Sequence, residues 1–324
     1  MRYRELVAQF GSAARAWDEA PNLPGRADAL SAARSALDRA ARCGARLLSV
    51  GDDDYPSSLV DLPDPPPHLF AVGDLDMLRA PAVAIVGTRR ATPYGERVTR
   101  EIAGALARAG VSIVSGLARG IDGSAHRAAL DADGRTVAVL GTGVDIAYPA
   151  AHRALHAEIA ARGLLLAEEL PGARASGGSF PKRNRIIAAL TQATIIVEAP
   201  FRSGALITAE YMLDLGRMVA VVPGPIDSPQ SAGSNELMRD GAIVITGVAD
   251  ALALVGIVPP PRRELTLRTA AERAVWDALE VGAADMDTLA TRSALPAREC
   301  LAAITALELS GVVECALTGE IRRR

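Results

Sequence analysis

From Pro81 to Val255 the apolar positions fall into short blocks that alternate between two periods. Val83-Ala84-Ile85-Val86 is continuous and largely β-branched, the pattern of a short strand buried on both faces. Thr92 then precedes Pro93, an N-cap before a proline at the first helical position. Val98, Ile102, Leu106 and Ala109 repeat along one helical face until Gly110 ends it. The same alternation predicts strands at Val111–Ser115, Thr136–Leu140, Leu164–Ala167, Thr194–Val197 and Met218–Val222. Helices are predicted over Gly123–Ala132 and Ala151–Arg162, before Thr194, and between the last two strands. Ile243–Ile245 is a candidate to close the sheet. Strand–helix alternation at this spacing implies right-handed crossovers and an α/β fold with a doubly wound, mostly parallel sheet. Ligands in such sheets sit beyond the carboxyl ends of the strands.

The flanks read differently. Up to about Ala80 the chain is Ala/Arg-rich and helical in pattern, ending in the turn-rich GDDDYPSSLVDLPDPPPHLF. Its Pro65-Pro66-Pro67 favours an extended segment. A second proline run, Pro259-Pro260-Pro261, followed by Arg262-Arg263, reads as a linker. Beyond it, helices are expected at Ala270–Leu279, near Met286–Thr291 and at Ala297–Leu309, with Gly311 as the stop. Val312–Ala316 and Glu320–Arg322 can pair across a turn containing Thr318-Gly319. The expected division is a helical N-terminal region at 1–46, the main α/β domain at 47–256, a linker at 257–264 and a small domain at 265–324.

Composition narrows this. The 324 residues are 49% apolar and 23% charged, which permits a sizeable core and argues against wholesale disorder. Aromatics are only 3%, so the core must be built from Val, Ile, Leu and Ala. A net charge of −3 excludes a polycation, and any contact with nucleic acid must come from a local patch. Cys43, Cys300 and Cys315 are widely spaced with no Cys-x-x-Cys, which argues for reduced thiols and against a disulfide framework or zinc site. MRYRELVAQF carries charges where a signal peptide needs an apolar stretch, and no run approaches the ~18 residues of a membrane span. A cytoplasmic protein without membrane contact is expected.

The strand-end loops hold the candidate chemistry. They are Gly87-Thr88-Arg89-Arg90; Ser115-Gly116 with Arg119, Gly120 and Asp122; Gly141-Thr142-Gly143; Phe180-Pro181-Lys182-Arg183-Asn184-Arg185; and Glu198 followed by Ser203-Gly204. Glycines let backbone N–H groups approach an anion, helix N-termini add positive potential, and arginines supply forked donors. Together they read as a phosphate-binding rim. Neither GxGxxG nor GxxxxGK[ST] is present, which disfavours a dinucleotide dehydrogenase and a P-loop nucleotidase. His68, His126, His152 and His156 lack partners for a metal set, and no metal or cofactor is expected. Three cations in Lys182–Arg185 oppose the helix macrodipole, which points to an anionic partner rather than a solvated helix start. Phe180 reads either as core or as a stacking platform for a base. Ser115, Asp122 and His126 could be imagined as a catalytic set. The preferred reading makes Asp122 a helix cap with His126 packed on it. Glu198 is read as a partner for backbone N–H groups rather than as a general base.

IVGTRRATPYG, SGLARGIDGSAH, VLGTGVDIAYP, FPKRNRIIAAL, VEAPFRSGALITAEY and VPGPIDSPQSAGSNELMRDGA occur in order, and together they closely resemble the DNA-processing protein DprA (Smf) family over about residues 47–250. The resemblance implies an extended Rossmann-like domain that binds single-stranded DNA as a homodimer. It further implies a recombination mediator that protects incoming strands in natural transformation and loads RecA, with no established catalytic activity and no catalytic residues expected. It places Arg89, Arg119, Lys182, Arg183 and Arg185 around the DNA, and Arg90 and Asn184 are grouped with them. Phe180 faces the bases, while Gly87, Thr88, Ser115, Gly116, Gly120, Gly141, Gly143, Ser203 and Gly204 shape the pocket. Some relatives carry a lysine three residues before the phenylalanine, where this chain has Gly177. The first stretch resembles a shortened sterile-alpha-motif-like domain, and the last unit a winged helix that binds duplex DNA or packs on the main domain. The competing reading is a nucleotide-binding protein or a phosphoribohydrolase of the same fold group. Those enzymes carry PGGxGTxxE where this chain has EAPFRSGALITAE.

Overall fold

The computed structural model describes residues 9–11, 13–19, 26–258, 267–316 and 319–323. The expected linker prolines with Arg262-Arg263, Thr318 of the expected turn, and the N-terminal MRYRELVA lie outside them. The chain divides into two units, Met1–Pro259 and Pro260–Arg324.

In the first unit, helices α1 (Ala13–Glu19) and α2 (Arg26–Arg42) precede β1 (Arg46–Ser49) and β2 (His68–Gly73). The alternating part follows: β3 (Ala82–Val86), α3 (Pro93–Arg108), β4 (Ser112–Ser115), α4 (Ile121–Asp131), β5 (Thr136–Leu140), α5 (Arg153–Arg162) and β6 (Leu164–Ala167). Then come α6 (Ser179–Leu190), β7 (Ala193–Ile196), α7 (Gly204–Asp214), β8 (Met218–Val221), α8 (Ala232–Arg239), β9 (Ile243–Val244) and α9 (Val248–Ala253). The sheet order is β1-β2-β6-β5-β4-β3-β7-β8-β9. From β6 to β9 all neighbours are parallel, and β2 and β1 extend the edge antiparallel. These two strands were not foreseen: β1 is short, with only Leu48 buried, and carries little of the two-period signal.

Both faces of β3 are buried. Val83 and Ile85 join a cluster with Ile102, Leu106 and Ile121 of α3 and α4, while Ala84 and Val86 join Ile186, Ile187 and Met212 of α6 and α7. Two helical layers therefore cover the sheet, and the aliphatic composition suits that sandwich. Thr92 caps α3 as expected, its Oγ1 accepting from the Gly95 N–H at 3.1 Å, and Gly110 ends the helix at φ +82°.

Chain order reverses between β3 and β7. From β3 the sheet grows one way through β4, β5 and β6, and the other way through β7, β8 and β9. Loops leaving the ends of β3 and β7 therefore diverge and leave a crevice.

The second unit packs α10 (Ala270–Ala278), α11 (Met286–Ser293) and α12 (Ala297–Leu309) with a hairpin of β10 (Val313–Cys315) and β11 (Ile321–Arg323). Its own core includes Val275, Leu289, Cys300, Ile304, Val313 and Ile321, the three-helix-plus-hairpin pattern read from the sequence. Among the described residues no helix is long and apolar enough to cross a membrane. All three cysteines are free.

Candidate nucleic-acid interface

The crevice at the switch point is a cavity of about 750 Å³, walled by the loops after β3 and β7 and the starts of α6 and α7. Backbone bonds fix its walls. The Thr88 N–H donates to the Glu198 carbonyl at 2.7 Å, and the Thr88 hydroxyl to Gln230 Oε1 at 2.9 Å. Gly120 sits at φ +72°, where a Cβ would run into the Thr88 carbonyl, so only glycine lets the β4 loop close on the β3 loop. Ser203 accepts from the Ala205 N–H at 3.3 Å and caps α7, with Gly204 beside it on the cavity wall.

Arg89 and Arg90 line the cavity and are exposed. Arg119, also exposed, lines an adjoining hollow of about 340 Å³ that shares Arg89, Arg90, Phe180 and Arg183. Among the described residues none of these three arginines has an ion-pair partner. Phe180 is half-buried at the boundary of the two hollows. The Arg89 guanidinium lies 5.4 Å from its ring centroid. Tyr148 packs beside it, with centroids 5.3 Å apart and planes tilted 35°. Sequence reasoning passed over Tyr148. The signal was the Tyr-Pro closing the loop after β5, an aromatic 45% exposed in a chain poor in aromatics. Gly141 makes room for Phe180, since a Cβ there would sit 2.9 Å from the ring.

Below the rim the arrangement is inward. Arg183, 6% exposed, donates to the Gly116 carbonyl at 2.8 Å, to Asn184 Oδ1 at 3.1 Å and to the Val139 carbonyl. A Cβ on Gly116 would strike this guanidinium. Burial lowers the Arg183 pKa to about 10, which leaves it charged at neutral pH, facing the buried Asp122. Asn184 donates to the Gly204 carbonyl at 3.0 Å and ties α6 to α7. Asp122 does not cap α4. Its Oδ2 accepts from the Gly116 N–H at 3.1 Å and the Ala118 N–H at 3.4 Å, pinning the β4 loop from inside. Burial pushes its carboxyl up, against the pull of Arg183 and those two N–H groups.

The imagined catalytic set is dispersed. The Ser115 hydroxyl donates to the Ile85 carbonyl at 2.7 Å within the sheet, so it shapes the strand rather than the cavity wall. His126 Nδ1 lies 2.7 Å from Thr136 Oγ1, and burial holds its pKa at about 3, so the ring is neutral. Glu198 meets the backbone as expected: 1% exposed, it accepts from the Thr92 N–H at 2.9 Å and the Thr92 hydroxyl at 2.5 Å.

Two of the expected DNA contacts lie elsewhere. Lys182 and Arg185 line a separate cleft with Asp61, Asp64, Tyr211 and Asp214. Both bind Glu168, Lys182 at 3.1 Å and Arg185 at 2.8 Å, because a helix sends positions 182 and 185 to a different side from 180, 183 and 184. Gly143 is also off the cavity wall: its N–H donates to the Ala173 carbonyl at 2.9 Å, bracing the loop before α6. Among the described residues no group of three or more His, Cys, Asp or Glu could hold a metal ion.

The first unit is thus a doubly wound Rossmann-like fold with exposed arginines at its switch point, and a three-helix unit with a hairpin, the winged-helix pattern, follows it in the same chain. Residues 46–256 match the family model for DNA recombination-mediator protein A, and residues 259–316 match the DprA winged helix domain. The chain belongs to the DprA family. It is 43% identical over 311 residues to a DNA processing protein DprA of Mycobacterium tuberculosis, covering 87% of this chain and 80% of the relative. It is 36% identical over 289 residues to protein Smf of Escherichia coli, covering 86% and 77%. Among solved structures, Streptococcus pneumoniae DNA processing protein A is similar with a TM-score of 0.64 and 41% identity, over 66% of this chain and 75% of that one. Helicobacter pylori DNA processing protein A, described for its single-stranded DNA binding mode, is similar with a TM-score of 0.57 and 35% identity, over 63% and 92%.

Proposed function

We propose that this protein is a cytoplasmic single-stranded DNA-binding recombination mediator. It acts as a homodimer that protects incoming strands during natural transformation and loads RecA onto them, with no catalytic step of its own. The observation that carries this reading is the trio of exposed arginines, Arg89, Arg90 and Arg119, without ion-pair partners among the described residues and gathered around the Tyr148–Phe180 pair. Such a rim grips phosphates electrostatically and stacks bases without reading their edges. The binding mode described for the Helicobacter pylori relative supports the choice of a single strand. The hydrolase alternative needs a free carboxylate. Glu198 is buried on Thr92, and Asp122 is occupied by two backbone N–H groups.

The test is titration of the purified chain with single-stranded and duplex oligonucleotides of equal length, with and without RecA. Preference for the single strand, weakened in Phe180→Ala by ~1–3 kcal/mol with the salt slope intact, is the expected result. Equal affinity for duplex and single strand, unmoved by Phe180→Ala, overturns it. So does release of free base from AMP that disappears in Glu198→Ala, which establishes the phosphoribohydrolase instead.

A further inference from the structure

The strand-end row does not stop at Phe180. Across the cavity, the loop after β7 makes a four-residue turn, closed by the Ser203 N–H donating to the Pro200 carbonyl at 3.1 Å. Its first and last residues, Pro200 and Ser203, line the cavity wall. The two residues at its tip are Phe201 and Arg202. Phe201 is 61% exposed, the most exposed aromatic side chain of the described residues. Arg202 occupies the left-handed region at φ +59°, where turns ordinarily place glycine or asparagine. A non-glycine residue held there marks strain tolerated at a functional position more often than elsewhere. Among the described residues Arg202 has no ion-pair partner. The 11-residue helix α7 starts directly behind the turn, with its N-terminus toward the same space.

We propose that Phe201 is a second base-stacking platform and Arg202 its phosphate partner, so that a bound strand crosses the cavity from Tyr148–Phe180 to Phe201–Arg202. This rests on the single-strand reading above and adds a direction and a length to it. Tyr148 follows β5 and Phe201 follows β7, three places apart in the order β5-β4-β3-β7. Three strand spacings are ~14 Å. At the ~3.4 Å rise of stacked bases that is about four steps, so one short nucleotide cannot occupy both platforms but a longer strand does. Arg89 and Arg90, in the loop after β3 between the two, then meet the intervening phosphates. Of the four phenylalanines in the chain, one lines this cavity and another stands at the tip of a turn whose first and last residues line it.

The experiment compares oligothymidylates of about three and about twelve residues, titrated against the full chain and its Phe201→Ala, Phe201→Tyr and Phe180→Ala variants. Phe201→Ala is expected to weaken the longer strand at least about five-fold, to leave the shorter one unchanged, and to leave the salt slope unchanged. Phe201→Tyr is expected to restore binding. Phe180→Ala is expected to weaken both lengths. Because Phe201 is exposed, its substitution leaves the core intact. If Phe201→Ala binds the longer strand like the parent while Phe180→Ala does not, the second platform is overturned and the single-strand reading stands. If neither variant changes affinity for either length, the single-strand reading falls and takes the second platform with it.

Discussion

The rim and the floor of the cavity use the same side chain for opposite ends. Arg89, Arg90 and Arg119 on the rim are exposed and without carboxylate partners among the described residues. Arg183 on the floor is enclosed and bonded to two main-chain carbonyls and Asn184. A guanidinium in water is available to a phosphate. One taken from water must be hydrogen-bonded throughout to be tolerated, and it then serves as a bolt between strand ends. Cation density along a sequence therefore says little about where an anion binds until the partners are known.

The largest effect that sharpens this contrast is Arg183→Ala. Removing Arg183 leaves the buried Gly116 and Val139 carbonyls without this donor and withdraws the cation facing Asp122, and the expected loss is ~3–5 kcal/mol of stability. Urea unfolding measures it. A variant as stable as the parent would move Arg183 from the floor to the rim.

His126 probes the floor by pH. Its folded pKa of about 3 lies below the ordinary 6.5, so the unfolded chain takes up a proton first as pH falls. Stability from this group is complete above pH 6.5 and drains as pH drops toward 3. Between about pH 8 and about pH 5 the loss is about 2 kcal/mol. His126→Gln is expected to flatten that limb relative to the parent, read as urea midpoints at the two pH values. Parallel curves for the two proteins would show a histidine that titrates normally.

Rim substitutions reverse the signature. Arg89→Ala and Arg119→Ala are expected to change stability by no more than ~0.5 kcal/mol, since both are exposed. Each is expected to lower the salt slope of single-strand binding by ~0.7, one released counterion's worth. An unchanged slope in both would remove the rim from the binding surface.

What could be seen beforehand follows the same division. The parallel strands were legible because burial on both faces leaves continuous β-branched runs such as Val83–Val86. The antiparallel pair β1 and β2 was not, because short edge additions bury only a few positions each. The rim was legible from glycines and arginines at strand ends. The inward turn of Arg183 was not, because its carbonyl partners lie 44 and 67 positions away and no local pattern announces them. Asp122 looked like a helix cap for a related reason: its spacing from the loop suits capping, yet in three dimensions the orphaned donors nearest to it are those of Gly116 and Ala118.

The smallest expected effect is the most pointed, because it concerns the exposed cation of the Lys182–Arg185 run. Lys182 is half in solvent, yet it lies on the Asp61–Asp214 side of α6 and pairs with Glu168 at 3.1 Å. Three aspartates around that cleft make it a poor place for a phosphodiester. Glu168 keeps Arg185 when the lysine is removed, so no carboxylate is stranded. An exposed ion pair of this kind contributes ~0–1 kcal/mol. Lys182→Ala is therefore expected to shift stability and single-strand affinity by no more than ~0.5 kcal/mol, and to leave the salt slope where the parent has it. Titration at several salt concentrations, beside Arg89→Ala as the reference, reads this directly. A slope reduced as far as in Arg89→Ala would mean that Lys182 leaves Glu168 for the strand, and that the division between rim and far cleft does not hold.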